Sequence, residues 1–190
     1  MTPMLGIMAS AITGNLVTSS YESIATVTAS GGETSLSFTS IPGTYASLQI
    51  RGITRRADSG SVIATDNLRF NGDTGTNYFY HRLQGDGATA TAGSGGGATS
   101  DIVFSRGTGA TATAGMFGAV VADILDYASS TKNKTVKSFT GFDINASGGN
   151  VYLLSGAWFN TAAITSITIY PNGNTIAAGT TYALYGIKGA

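Results

Sequence analysis

From Tyr21 onward, apolar and polar residues alternate with a period of two. In ETSLSFTSI, Leu36, Phe38 and, past a slip, Ile41 alternate with hydroxyl residues, and Leu48 and Ile50 do the same in YASLQIRGI. The pattern returns in TVKSFTGFDI with Val136, Ser138 and, across an expected bulge, Phe139. It continues with Val151 and Leu153 in NVYLLSGAW, Ile164, Ile167 and Ile169 in AITSITIYP, and Ala183, Tyr185 and Ile187 in TTYALYGIK. Such alternation sets one face of a strand on a core and the other toward water. Turn residues punctuate the runs, in SGG, IPG, DSGS, NGDTG, ASGGN and PNGN. About eight to ten short runs separated this way predict an all-β chain, a single jelly-roll-like β-sandwich.

Two segments test that reading. Met116 to Ser129 has Val120, Ile124 and Leu125 at helical spacing, while Val120, Ala122 and Ile124 also fit a strand. Gly118 and the β-branched Val120–Val121 pair weaken a helix, so a buried strand is the expectation. Gln84 to Ser100 is too rich in Gly, Ala, Thr and Ser to bury a core face, and it reads as a surface loop or a segment ordered by neighbours. The first residues, MTPMLGIMASAITGNLV, are apolar but short of the roughly 20 residues of a spanning helix. They also lack a basic signal-peptide n-region. We expect residues 1–20 to form an arm that docks on a partner or neighbouring subunit through Leu5, Ile7, Met8 and Ile12, the alternative being a first strand or arm that covers the chain's own core. Residues 21–190 then form the sandwich.

Charge changes the picture most. Only 11% of the 190 residues are charged, against roughly 25% in an average soluble domain. Ten basic residues balance ten acidic ones, so a phosphate-binding surface for nucleic acid is not expected. A neutral, charge-poor surface favours association, and much of it should be covered by other chains. The absence of cysteine excludes disulfides and thiolate metal sites.

The candidate chemistry is sparse. Asp73-Thr74-Gly75 matches the tripeptide of aspartic proteases, which need two such carboxylates, and the chain has one. Preceded by Asn71-Gly72, it reads as a tight turn. His81, the sole histidine, shares a strand face with Phe79 and Leu83, opposite Tyr78, Tyr80 and Arg82, and no Gly-x-Ser-x-Gly elbow accompanies it. Asn71 to Asn77 offers several oxygens but lacks the terminal Glu of a calcium loop. Asp123 and Asp126 would converge only on a helix. No catalytic residue, metal or cofactor is therefore expected. Exposed aromatic rings beside amides can stack on sugars, which makes Tyr78, Tyr80, Trp158 and Asn160 a candidate sugar-contact surface. A core role for Trp158 competes with it.

The segments FTSIPGTYASLQIRG, LRFNGDTGTNYFYHRLQGDG, SGAWFNTAAITSITIYP and YALYGIKG resemble small β-rich virion proteins and fibre tips of tailed bacteriophages. The likeness runs from about Ser20 to Gly189, and MLGIMAS resembles the start of stand-alone members. The resemblance implies a non-enzymatic virion component, assembled in the host cytoplasm as a homotrimer with other virion proteins as partners. A tail-fibre or receptor-binding tip touching a host surface glycan is the first expectation. The alternative is a capsid decoration, or cement, protein that stabilises the head. Neither nucleic acid nor membrane insertion enters it.

Overall fold

The structure is a computed structural model that describes residues 20–57, 60–95, 97–144, 148–171 and 173–189. The proposed arm residues Leu5, Ile7, Met8 and Ile12 lie outside them. Twelve strands are formed among the described residues. The first six are β1 (Tyr21–Thr28), β2 (Leu36–Phe38), β3 (Ser47–Thr54), β4 (Ile63–Phe70), β5 (Tyr78–Gly85) and β6 (Ala90–Ser94). The rest are β7 (Ile102–Thr108), β8 (Gly118–Leu125), β9 (Lys134–Asp143), β10 (Gly149–Trp158), β11 (Ile167–Pro171) and β12 (Thr181–Ile187). They build an eight-stranded sheet in the order β1-β12-β3-β8-β9-β10-β5-β6 and a four-stranded sheet in the order β2-β11-β4-β7, with every ladder antiparallel.

The two sheets enclose one main core, so the chain is all-β and sandwich-like. Leu48, Ile50, Val120, Ile124, Val136 and Leu184 from the large sheet face Phe38, Leu68, Phe70, Phe104, Ile167 and Ile169 from the small one. A jelly-roll connectivity does not follow from this eight-and-four strand order. Met116–Ser129 contains a strand, β8, whose Val120, Ala122 and Ile124 are buried. Within the Gln84–Ser100 stretch a strand stands where its composition suggests a loop. Its Ala90–Ser94 pairs with β5 as the edge strand β6.

Two strands place the opposite residues inward from those the alternation singled out, and a third departs from it at one residue, Phe139. In β10 the core takes Tyr152 and Leu154, leaving Val151 and Leu153 outside. In β12 it takes Tyr182 and Leu184, with Ala183, Tyr185 and Ile187 on the other face. β9 has no bulge: Val136, Ser138, Thr140 and Phe142 point inward, and Phe139 points out. The inward hydroxyls have a structural task. Ser138 Oγ donates to the Phe104 carbonyl, and Thr140 Oγ1 donates to the Arg106 carbonyl at 2.6 Å. They satisfy the free backbone edge of β7, the outermost strand of the small sheet, where it crosses β9.

A polar pin joins the layers. Asp66 on β4 is 3% exposed, and its Oδ2 accepts hydrogen bonds from Thr54 Oγ1 at 2.7 Å and Tyr182 OH at 2.9 Å, both on the opposing sheet. Burial raises the Asp66 pKa, a change opposed by the two hydroxyls and by Arg56. Close approach of the sheets at one end depends on glycine: a Cβ on Gly118 would lie 2.6 Å from the Gly107 Cα.

Candidate functional site

The Asp-Thr-Gly segment is a turn. Asn71 and Gly72 have φ of 51° and 67°, and the Asp73 N–H donates to the Phe70 carbonyl at 2.9 Å, closing a tight turn. It is not a hairpin, because β4 and β5 belong to different sheets. The Asp73 carboxylate is a local fastener. Its Oδ1 accepts from the Gly75 N–H at 2.8 Å, and its Oδ2 accepts from Asn77 Nδ2 at 3.0 Å and Trp158 Nε1 at 2.8 Å. The Asn77 amide, then the Gly75 N–H, and more weakly Trp158 and Asn160, pull the Asp73 pKa down.

This fastener decides the fate of the proposed host-contact residues. Tyr78 is fully buried and Trp158 is 1% exposed. They stack at 6.1 Å and 17°, and Phe70 packs on the indole at 5.5 Å. Tyr78 is therefore corrected to a core residue and Trp158 takes the core role that competed with sugar contact: their rings meet each other, and the polar edge of the indole is bonded to Asp73. Tyr80 is half-buried on the inward face of β5, and Asn160 Oδ1 caps the Ala162 N–H at 2.9 Å. The four do not form one open surface.

Asp123 and Asp126 are likewise separated in role. Asp123 pairs with Lys137 at 3.7 Å and Asp126 with Lys132 at 2.9 Å. Among the described residues, no three His, Asp or Glu side chains gather as a metal site. His81 stands exposed on the outward face of β5, opposite Ser155 and Ser94.

That outward face of the large sheet is the most unusual surface of the molecule. Val121, Phe139, Leu153 and Leu83 lie directly opposite one another across β8, β9, β10 and β5. They are 41%, 56%, 45% and 54% exposed. One row along, Ile53 and Val151 are exposed too, separated by Ala119 and Gly141, so the patch is broad and flat. Isolated apolar residues are ordinary on protein surfaces, but contiguous ones mark contact with another molecule.

A polar track flanks the patch. Arg51 Nε donates to Gln49 Oε1 at 2.6 Å, and Gln49 Nε2 donates to Asp123 Oδ1 at 2.7 Å. The Arg51 guanidinium lies 5.0 Å from the Tyr21 ring centroid and 5.5 Å from that of Tyr185. This track is bonded within itself and supplies a polar rim to an apolar centre, as in protein interfaces. The row is hidden in the sequence because the alternation places Val151 and Leu153 in the core. The available signal was the apolar residues at both parities, in VYLL and in Val136 with Phe139.

Comparison with protein-family models, with curated proteins and with solved structures finds no match for this chain.

Proposed function

We propose that this protein is a non-enzymatic structural component of a tailed-bacteriophage virion, assembled as a homotrimer and carried on the tail as a fibre or receptor-binding tip. The observation that carries the assembly part of this reading is the apolar row Val121, Phe139, Leu153 and Leu83 on an otherwise charge-poor chain. Full burial of a large aliphatic or aromatic side chain is worth about 1.5–3 kcal/mol. Covering four that are roughly half exposed therefore adds about 3–6 kcal/mol per copy. The segment before Ser20, with Leu5, Ile7, Met8 and Ile12, adds a second apolar contact to a neighbouring subunit or virion partner. The sequence resemblance to phage virion proteins supplies the particle.

A second position is favoured by a specific observation. Burial of Tyr78 and Trp158 removes two of the four side chains proposed for host contact, which leaves more room for a decoration protein clamping the head. The mass of the full chain in solution tests assembly: three times the chain mass supports the trimer, and a monomer at high concentration overturns it. Copies per particle then separate tail from head.

A further inference from the structure

β7, at the edge of the small sheet, crosses β9 and β10 and reaches β5. Beside it a cleft of about 540 Å³ opens, lined by Arg82 and Gln84 of β5, Arg106 of β7 and Tyr152 of β10 among others. The Arg106 guanidinium lies over the Tyr152 ring, 5.1 Å from its centroid. Arg82 extends across β6, where a Cβ on Gly93 would come within 3.4 Å of its Nε, Cζ and Nη2. The Nε atoms of both arginines are buried and have no hydrogen-bond partner.

Among the described residues, no carboxylate lies within ion-pair distance of either arginine. The ion pairs among the described residues are Arg69–Asp101, Lys132–Asp126, Lys137–Asp123 and Lys188–Glu22. The acidic side chain in the lining, Asp86, uses Oδ1 to accept from the Ala88 and Thr89 N–H groups at 3.0 and 2.7 Å. Burial lowers the Arg106 pKa, Tyr152 opposes that change, and the neighbouring Arg82 adds to it, so the two guanidinium groups feel each other. Two adjacent buried-edge cations with unfilled donors are costly alone and complementary to an anion. The guanidinium fork matches a carboxylate or phosphate in particular.

Past Arg106 lies a second cavity of about 720 Å³ with a different lining. Thr65, Thr76, Thr99, Ser100 and Asn67 supply hydroxyls and an amide, Tyr80 supplies a ring, Arg56 stands in the wall with its charge set against Asp66, and Asn67 Oδ1 is buried without a partner. Asp101 on that wall is held by Tyr170 OH at 2.7 Å and by Arg69. An occupant reaching both cavities is anionic at one end and rich in hydroxyls along the rest. We propose that this cleft binds an acidic saccharide, with a sugar carboxylate on Arg82 and Arg106 and adjoining hydroxyls on the threonine- and asparagine-lined cavity.

The proposal names a ligand class for the host-contact reading but stands on the cleft, so virion placement and binding can fail separately. Calorimetric titration of the full chain with trigalacturonate, neutral galactotriose and inorganic phosphate tests it. Trigalacturonate should bind saturably and more tightly than either of the others. Arg82→Gln and Arg106→Gln should each weaken it roughly tenfold or more, with an unchanged circular dichroism spectrum. If Arg106→Gln does not fold, Arg82→Gln carries the comparison. Phosphate binding as tightly as trigalacturonate, equal binding of the neutral sugar, an unaffected Arg82→Gln variant, or no binding at millimolar ligand each overturns the proposal.

Discussion

Replacing Phe139 with glutamate separates assembly from folding. Phe139 sits on the outward face of β9 between Val121 and Leu153, and it is 56% exposed. A phenylalanine buries about 200 Å², so about 110 Å² of this one remains to be covered in a complex. At ~25 cal/mol per Å² that is about 2.8 kcal/mol per copy, before the cost of desolvating the new carboxylate. Subunit affinity should fall about 100-fold or more. Folding should suffer far less, because the chain loses only cross-strand contacts worth about 0.2–1 kcal/mol each. Light scattering across a dilution series, with thermal unfolding in parallel, reads both quantities. A Phe139→Glu trimer that dissociates at the same concentration as wild type would refute the outer face as the assembly surface.

Other substitutions test the interior. The unfolded Asp66 carboxyl titrates near its ordinary value of 3.8, and burial raises it in the folded chain. The folded state therefore binds more protons in the window between the two values. Stability falls as pH rises from the unfolded through the folded pKa, and the penalty persists above it. Asp66→Asn, which still offers an acceptor to Thr54 and Tyr182, should lose that slope and gain relative to wild type as pH rises. An unchanged denaturant-midpoint profile against pH would count against Asp66 as its source. Trp158→Phe keeps the stacked ring but removes the donor to Asp73, and it should cost about 1–2 kcal/mol in urea unfolding. A neutral result would make that hydrogen bond incidental. Gly118→Ala should cost about 1–3 kcal/mol because its Cβ meets the Gly107 backbone. Full stability in that variant would mean that the two strands can separate at no cost.

The fold class was legible because a period of two survives in Leu48 and Ile50, in Val120 through Ile124, and in Ile167 and Ile169. Strand faces were harder to read. β10 carries apolar residues at both parities, so Val151 and Leu153 compete with Tyr152 and Leu154, and a one-residue shift exchanges core for surface. β9 misled in the opposite sense, since its core positions include Ser138 and Thr140. Those hydroxyls are inward because the edge of β7 needs donors there, a tertiary requirement invisible in local pattern.

The site was less legible than the fold. Asp73 stood out as a motif and proved to be a turn fastener. Asp66 passed unnoticed, although its inward parity with Ala64, Leu68 and Phe70 was available. Trp158 beside Asn160 suggested a sugar platform, but the indole N–H finds Asp73 85 residues away in sequence. Arg82 and Arg106 meet only because a small sheet is laid across a larger one. No spacing along the chain encodes that encounter.

Copy number in purified particles tests the proposed virion role most directly. Quantitative mass spectrometry against the major capsid protein supplies it. A trimeric tail fibre or receptor tip should be present in a few to a few tens of copies per particle, in a multiple of three, with the tail. Hundreds of copies would move the protein to the head as a decoration subunit, and absence from purified particles would contradict the account.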